Sequence, residues 1–260
     1  MPPASLAIVL PAYNEEARLG PGLDELFTFI DGDAGRAALP PDVRVLVVDD
    51  GSTDGTAAIV HHRPEAVARA GDRPRLAVLS VPHGGKGSAV RAGMLASDAD
   101  LVVFADADMA TPPDELGKLV AALGDRDVAL GSRIQADGSD MRASQPLFRR
   151  LLGKAFHAFA SVWVVGPVQD TQCGFKGFSR DAAHDLFGLQ RVGSIVFDVE
   201  IIYLARRRGY SIAVVPIRWA DRRGSRMHPR PGLALRVAWD LLRIPLIHRR
   251  DARPRRRAAG

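Results

Sequence analysis

The chain has a single cysteine, Cys173, in 260 residues. An internal disulfide is therefore excluded, the fold must rest on core packing, and Cys173 reads as a small buried apolar residue. No apolar run approaches the roughly 18 residues that a membrane span requires. Met1-Pro2-Pro3-Ala4 leads straight into a short apolar run without a basic segment or signal-type core. The expectation is a cytoplasmic chain, peripheral on the cytoplasmic face of a membrane where it meets one. Basic charge spread over the body is also missing. The net charge is +5, and Arg249 to Gly260, with six arginines and one aspartate, hold all of it. Residues 1–248 are balanced, which argues against nucleic acid as a partner. The Pro- and Arg-rich tail is predicted to be disordered. His61, His62, His157, His184 and His228 show no metal-ligand spacing, and no internal repeat is visible.

What is present alternates. Short apolar runs at 7–10, 43–48, 76–79, 101–105 and 128–133 read as strands, each followed by a polar cluster and then a helical pattern. Leu19, Leu23, Leu26, Phe27 and Ile30 keep helical spacing across an awkward Gly20-Pro21-Gly22. The alternation predicts an α/β fold, a mostly parallel sheet with helices on both faces. The polar clusters all follow strands, so they gather at the carboxyl edge, where open α/β sheets bind ligands. Beyond about residue 134 the pattern changes. Residues 135–145 are polar, and 147–165 are largely apolar with basic points at Arg149, Arg150 and Lys154.

The run Leu101–Ala105 ends in Asp106-Ala107-Asp108. Side chains two apart at a strand end project to the same side, so these carboxylates can converge on a hard cation. Taken alone, D-x-D is more often a pair of solvated loop aspartates. Gly84-Gly85-Lys86-Gly87-Ser88 is not a P-loop, because Gly87 stands between the lysine and Ser88. It is a glycine turn at a helix start with one lysine, suited to close approach of a phosphate or a sugar. His83 lies beside it.

Four segments now fall in order: Pro11-Ala12-Tyr13-Asn14-Glu15, Asp49-Asp50-Gly51-Ser52-Thr53-Asp54-Gly55-Thr56, Gly85-Lys86-Gly87-Ser88 and Asp106-Ala107-Asp108. Together they resemble the family 2 inverting glycosyltransferases of GT-A fold. Gly131-Ser132-Arg133, Asp170-Thr171-Gln172-Cys173-Gly174-Phe175-Lys176, Phe197-Asp198-Val199-Glu200 and the stretch Trp219 to Arg226 look like the dolichyl-phosphate glucosyltransferase branch, across residues 5–227. The resemblance implies a nucleotide-sugar donor held near Pro11, Tyr13 and Glu15. Asp49 or Asp50 would meet the base, and Lys86, Arg222 and Arg226 the diphosphate. It implies Mg²⁺ or Mn²⁺ on Asp106 and Asp108. Ala110 stands where many mannose synthases have a metal-assisting glutamine, which favours the glucosyl branch.

For the acceptor, the resemblance implies a polyprenyl monophosphate, with Arg133 and a second cation, Arg149, on its phosphate. Asp170 would orient the sugar, or act as base toward a hydroxyl acceptor. Lys176 and Glu200 read as structural as readily as substrate-binding.

Residues 232–248 place Arg236, Asp240 and Arg243 in one narrow wedge of a helix whose remainder is apolar, with Trp239. This suits an interfacial helix on an anionic membrane surface, the alternative being packing on the body or on a second subunit. The expected organisation is a catalytic domain over 1–228, this helix over 229–248 and the tail over 249–260. The expected reaction is transfer of glucose from UDP-glucose. Its rivals are mannosyl transfer from GDP-mannose, a soluble or saccharide acceptor, and a binding scaffold that retains the fold. Intact charged residues at the site argue against the scaffold.

Overall fold

The structure, a computed structural model, describes residues 2–68, 72–135, 137–141, 170–220 and 231–251, with side chains from 236 onward in the last segment. Arg149, Arg222, Arg226, the 147–165 run and the tail beyond 251 lie outside the described residues.

Strands β1 (Ser5–Ala12), β2 (Asp42–Asp49), β3 (Leu76–Ser80), β4 (Leu101–Ala105), β5 (Val128–Ser132), β6 (Phe175–Ser179) and β7 (Ile212–Pro216) form one sheet in the order β3-β2-β1-β4-β6-β5-β7. β6 runs antiparallel to both its neighbours, and the other pairs are parallel. The expected mostly parallel α/β sheet is therefore what forms, with two strands more than the apolar runs indicated. β6 escaped because Lys176 and Gly177 interrupt its hydrophobic run. β7 is itself an apolar run, Ile212 to Val215, but it lies beyond residue 134, past the regular alternation of strands and helices.

Alternation along the strands builds two cores. Val9, Val102 and Phe104 pack on one face under α4 (Lys86–Ala96), α6 (Arg180–Leu189), α7 (Phe197–Arg208) and α8 (Pro231–Ile247). Ile8, Leu10 and Val103 pack on the other face under α1 (Glu16–Asp31) and α5 (Leu116–Ala122). Two shorter helices, α2 (Asp33–Ala38) and α3 (Thr56–His61), complete the set. All five apolar positions read for α1 are buried, and Pro21 is accommodated within the helix.

α8 also joins the body. Leu241 and Ile244 enter the first core, and Asp240, on the expected polar wedge, turns inward to accept from Ser194 Oγ at 2.6 Å. His248 closes the same seam, 2.6 Å from Glu200 with both side chains fully buried. The outward stripe is instead Trp239, Leu242 and Leu246, beside exposed Arg236, Arg249 and Arg250. Among the described residues no helix is long and apolar enough to cross a membrane.

Candidate active site

Five strand ends and the entry to β6 meet at one edge. After β1, Asn14 adopts φ 54°, and its loop interlocks with the turn after β2: the Asn14 amide donates to Ser52 Oγ, the Thr53 amide to Asn14 Oδ1, and the Glu15 amide to Thr56 Oγ1, all within 2.9 Å. Asp50 accepts the Gly84 and Gly85 amides at 2.8 and 2.9 Å and lies 2.9 Å from His83 Nδ1, so its carboxylate shapes the glycine turn. Asp49 accepts the Ser52 amide at 3.0 Å. The exposed Tyr13 ring stacks on His83 with centroids 4.3 Å apart, a flat aromatic surface at the same edge.

The glycine turn is fixed from both sides. Gly85 sits at φ 92°, where an L side chain is strained, and opens α4. Gly87 donates to Gly193 O at 3.0 Å and packs against Phe197 with no room for a Cβ. This aims Lys86 at Asp106, Nζ to Oδ1 2.5 Å. Burial opposes the ammonium, but Asp106, Asp198 and Asp108 outweigh it and hold the Lys86 pKa above its ordinary value.

Asp108 is engaged on both oxygens. Oδ1 accepts the Ala110 amide at 3.1 Å, and Oδ2 accepts from Arg18 Nη1 at 3.1 Å. Burial and the neighbouring Asp106 push its pKa up, against the pull of Ala110 and Arg18. Two glycines allow this loop its position. A Cβ on Gly22 of α1 would stand 2.6 Å from Ala107 O, and one on Gly174 would collide with the Asp106 carboxylate. Among the described residues no third histidine, cysteine or acid groups with the pair. A hard divalent cation held here would take its remaining ligands from a diphosphate and water. Mg²⁺ typically binds in this way, so the donor set fits the ion.

Beyond the acidic pair, Arg133 grips Asp170. Nη2 donates to Oδ1 at 2.5 Å, Nε to Oδ2 at 2.8 Å, and the backbone amide to Oδ2 at 2.7 Å. The guanidinium lies 5.5 Å over the Trp219 ring. Burial opposes its charge, yet the Asp170 bonds raise its pKa well above the usual arginine value. Lys176 is wholly buried, bonding Cys173 O and Asp198 at 2.5 and 2.6 Å. Glu200 accepts the Arg191 and Val192 amides, so both residues serve the framework. The Cys173 thiol is pushed up to about 12, chiefly by burial, which makes it inert.

The structure thus brings Tyr13, Glu15, Asp49, Asp50, Lys86, Asp106, Asp108, Arg133 and Asp170 to one edge. Sequence reasoning missed Arg18. Its only local signal is the three-residue spacing from Glu15 at a helix start, which gives no hint of a partner ninety positions on.

The family model for glycosyl transferase family 2 matches residues 7–187. The chain belongs to that family. A dolichyl-phosphate beta-glucosyltransferase of Trichomonas vaginalis is 36% identical to this glycosyltransferase over 250 residues, covering 93% of this chain and 71% of the relative. The Drosophila melanogaster enzyme of that name is 36% identical over 88% of this chain and 71% of its own, and the human one 34% over the same shares. Among solved structures, glucosyl-3-phosphoglycerate synthase from Mycobacterium tuberculosis in complex with UDP superposes with a TM-score of 0.62 at 21% identity, covering 97% of this chain and 82% of that one. The same enzyme with Mn²⁺, UDP-glucose and phosphoglyceric acid gives 0.59 at 22%, covering 97% and 81%. The fold is that of the GT-A glycosyltransferases.

Proposed function

We propose that this glycosyltransferase transfers glucose, with inversion, from UDP-glucose to a polyprenyl monophosphate at a membrane surface. The observation that carries the reading is the carboxyl edge itself. It gathers the Asp106/Asp108 pair, Lys86 and the Arg133–Asp170 pair, in a chain whose relatives bear the name dolichyl-phosphate beta-glucosyltransferase. A phosphate oxygen of the acceptor attacks the anomeric carbon as the bond to UDP breaks. Asp50 is spent on the glycine turn, which leaves Asp49 to meet the base, beside the Tyr13–His83 surface. Pro11 near the end of β1 and Glu15 just after it would flank the nucleoside. Asp106 and Asp108 would hold Mg²⁺ or Mn²⁺, which supplies charge neutralisation for the departing diphosphate. Lys86 adds a cation there, joined by Arg222 and Arg226.

Arg133, with Arg149, meets the acceptor phosphate. That phosphate is anionic near neutral pH and needs no strong base. Asp170, committed to the Arg133 guanidinium and backbone amide, acts as a positioning residue.

Four incubations test the reaction: radiolabelled UDP-glucose or GDP-mannose, each with polyprenyl phosphate or with 3-phosphoglycerate. Organic-phase label from UDP-glucose with the lipid is expected. Label only from GDP-mannose, or only in a water-soluble product, would overturn the donor or the acceptor respectively.

The catalytic domain would extend over 1–228, with α8 as the bilayer-facing element and the basic tail beyond it, on the cytoplasmic face. The supporting feature is the outward Trp239–Leu242–Leu246 stripe flanked by arginines. Because these leucines are exposed, Leu242→Ser with Leu246→Ser should leave the fold intact. Binding to anionic vesicles should weaken by about tenfold or more, since each buried leucine contributes on the order of 1–2 kcal/mol. Unchanged co-sedimentation would reject the stripe as the contact surface.

A further inference from the structure

We propose that Arg18 gates the divalent cation: by holding Asp108, it makes metal binding depend on prior or simultaneous binding of a nucleotide diphosphate. The proposal rests on the reading of Asp106 and Asp108 as metal ligands.

Arg18 lies in the first turn of α1, and Glu15 grips one edge of its fork, with Nε to Oε2 at 2.7 Å and Nη2 to Oε1 at 2.5 Å. That grip leaves Nη1 to reach Asp108 Oδ2. Lys86 in turn holds Asp106. Each of the two carboxylates therefore carries a protein cation. A metal coordinating Asp108 through Oδ2 competes with Arg18 for the same oxygen, and Oδ1 is already turned to the Ala110 amide. A bare divalent cation must also compete for carboxylates whose charge is already partly neutralised by the Arg18 guanidinium and the Lys86 ammonium.

A diphosphate reverses this balance. It brings several negative charges and several oxygens that can accept from Nη1 in place of the one Asp108 oxygen. Because Glu15 anchors the other edge, Arg18 needs only to exchange the acceptor of Nη1. The Arg18 and Asp108 side chains are each 22% exposed, so the exchange requires no unfolding of the site. The same step ties nucleotide recognition to metal entry, since Glu15 belongs to the segment after β1 that frames the donor.

The test is Mn²⁺ binding by the intact chain, read from the electron paramagnetic resonance signal of free Mn²⁺ with and without UDP, and needs no turnover. Wild type should bind Mn²⁺ weakly alone and much more tightly with UDP. Arg18→Gln should bind Mn²⁺ alone more tightly than wild type, by up to about fivefold, narrowing the effect of UDP, as expected for removing a partly exposed competing ion pair. Arg18→Lys, which keeps the charge but loses the fork, should fall between them. An Arg18→Gln protein whose Mn²⁺ affinity without UDP is unchanged or lower overturns the gate. Asp108→Ala separates the two ideas. If that variant binds Mn²⁺ with UDP as wild type does, the metal reading itself has failed, whereas loss of binding there with no effect of Arg18→Gln defeats the gate alone.

Discussion

Asp108→Ala is expected to lower glucosyl transfer from UDP-glucose by on the order of a thousandfold or more, with the fold essentially unchanged. The large loss follows from removing one of the two carboxylates read as ligands of the divalent cation, with no third histidine, cysteine or acid grouped with them among the described residues. Charge on the departing diphosphate then goes uncompensated, and a preorganised electrostatic partner of this kind typically contributes several kcal/mol to the barrier. The small structural cost follows from the surroundings. Asp108 is partly exposed, and its bond to Arg18 is worth at most about 1 kcal/mol in such a setting. Turnover titrated with Mn²⁺, alongside urea unfolding, checks both halves. Full activity in the variant would remove Asp108 from the reaction, and a collapse in stability would reassign it to the framework.

Lys176→Met is expected to do the reverse and strike stability first. Lys176 has no exposure, and its ammonium is the buried partner of Asp198 at 2.6 Å. Removing one member of such a pair typically costs about 3–5 kcal/mol, because the remaining charge is left in a low-dielectric interior. The pH dependence has a definite sign. Burial, partly offset by Lys176 and Lys86, already raises the Asp198 pKa, and losing Lys176 raises it further. An acid with a raised folded-state pKa stays protonated in the native state above its unfolded value of about 3.9, so stability falls as pH rises through that window. The variant should therefore lie nearest to wild type near pH 4 and deviate more toward pH 7. Adding Asp198→Asn should recover part of the loss. Equal unfolding free energies for wild type and Lys176→Met at neutral pH would show that the pair contributes little.

The site was legible where chemistry follows a buried parallel strand. β1, β2 and β4 read directly as apolar runs, and the carboxyl-edge rule then placed Tyr13, Asp49, Asp50, Asp106 and Asp108 together. What could not be read depends on contacts between distant segments. Arg18 meets Asp108 only because α1 packs on the loop after β4, closely enough that Gly22 has no room for a side chain. β6 hides its strand character behind Lys176, whose charge is answered by Asp198 from a helix twenty-two residues later. The outward face of α8 is hidden for a similar reason. Helical spacing groups Asp240 with Arg236 and Arg243 as a wet wedge, whereas Ser194 and the body claim Asp240.

The reversed direction of β6 returns the chain that leaves β5 to the same edge of the sheet. β5 leaves the sheet at the substrate edge after Ser132, and β6 re-enters at that edge with Phe175, as its immediate neighbour. Their register is secured by direct pairing of Val128 with Phe178, Ala129 with Gly177 and Leu130 with Lys176. Arg133 directly after β5 and Asp170 shortly before β6 are thereby drawn together across the two ends of the connection, and their bonds close it at the substrate edge. The acceptor side of the centre therefore depends on the β5–β6 pairing, whereas Asp49, Asp50, Asp106 and Asp108 follow the separate parallel pairing of β1 with β2 and β4.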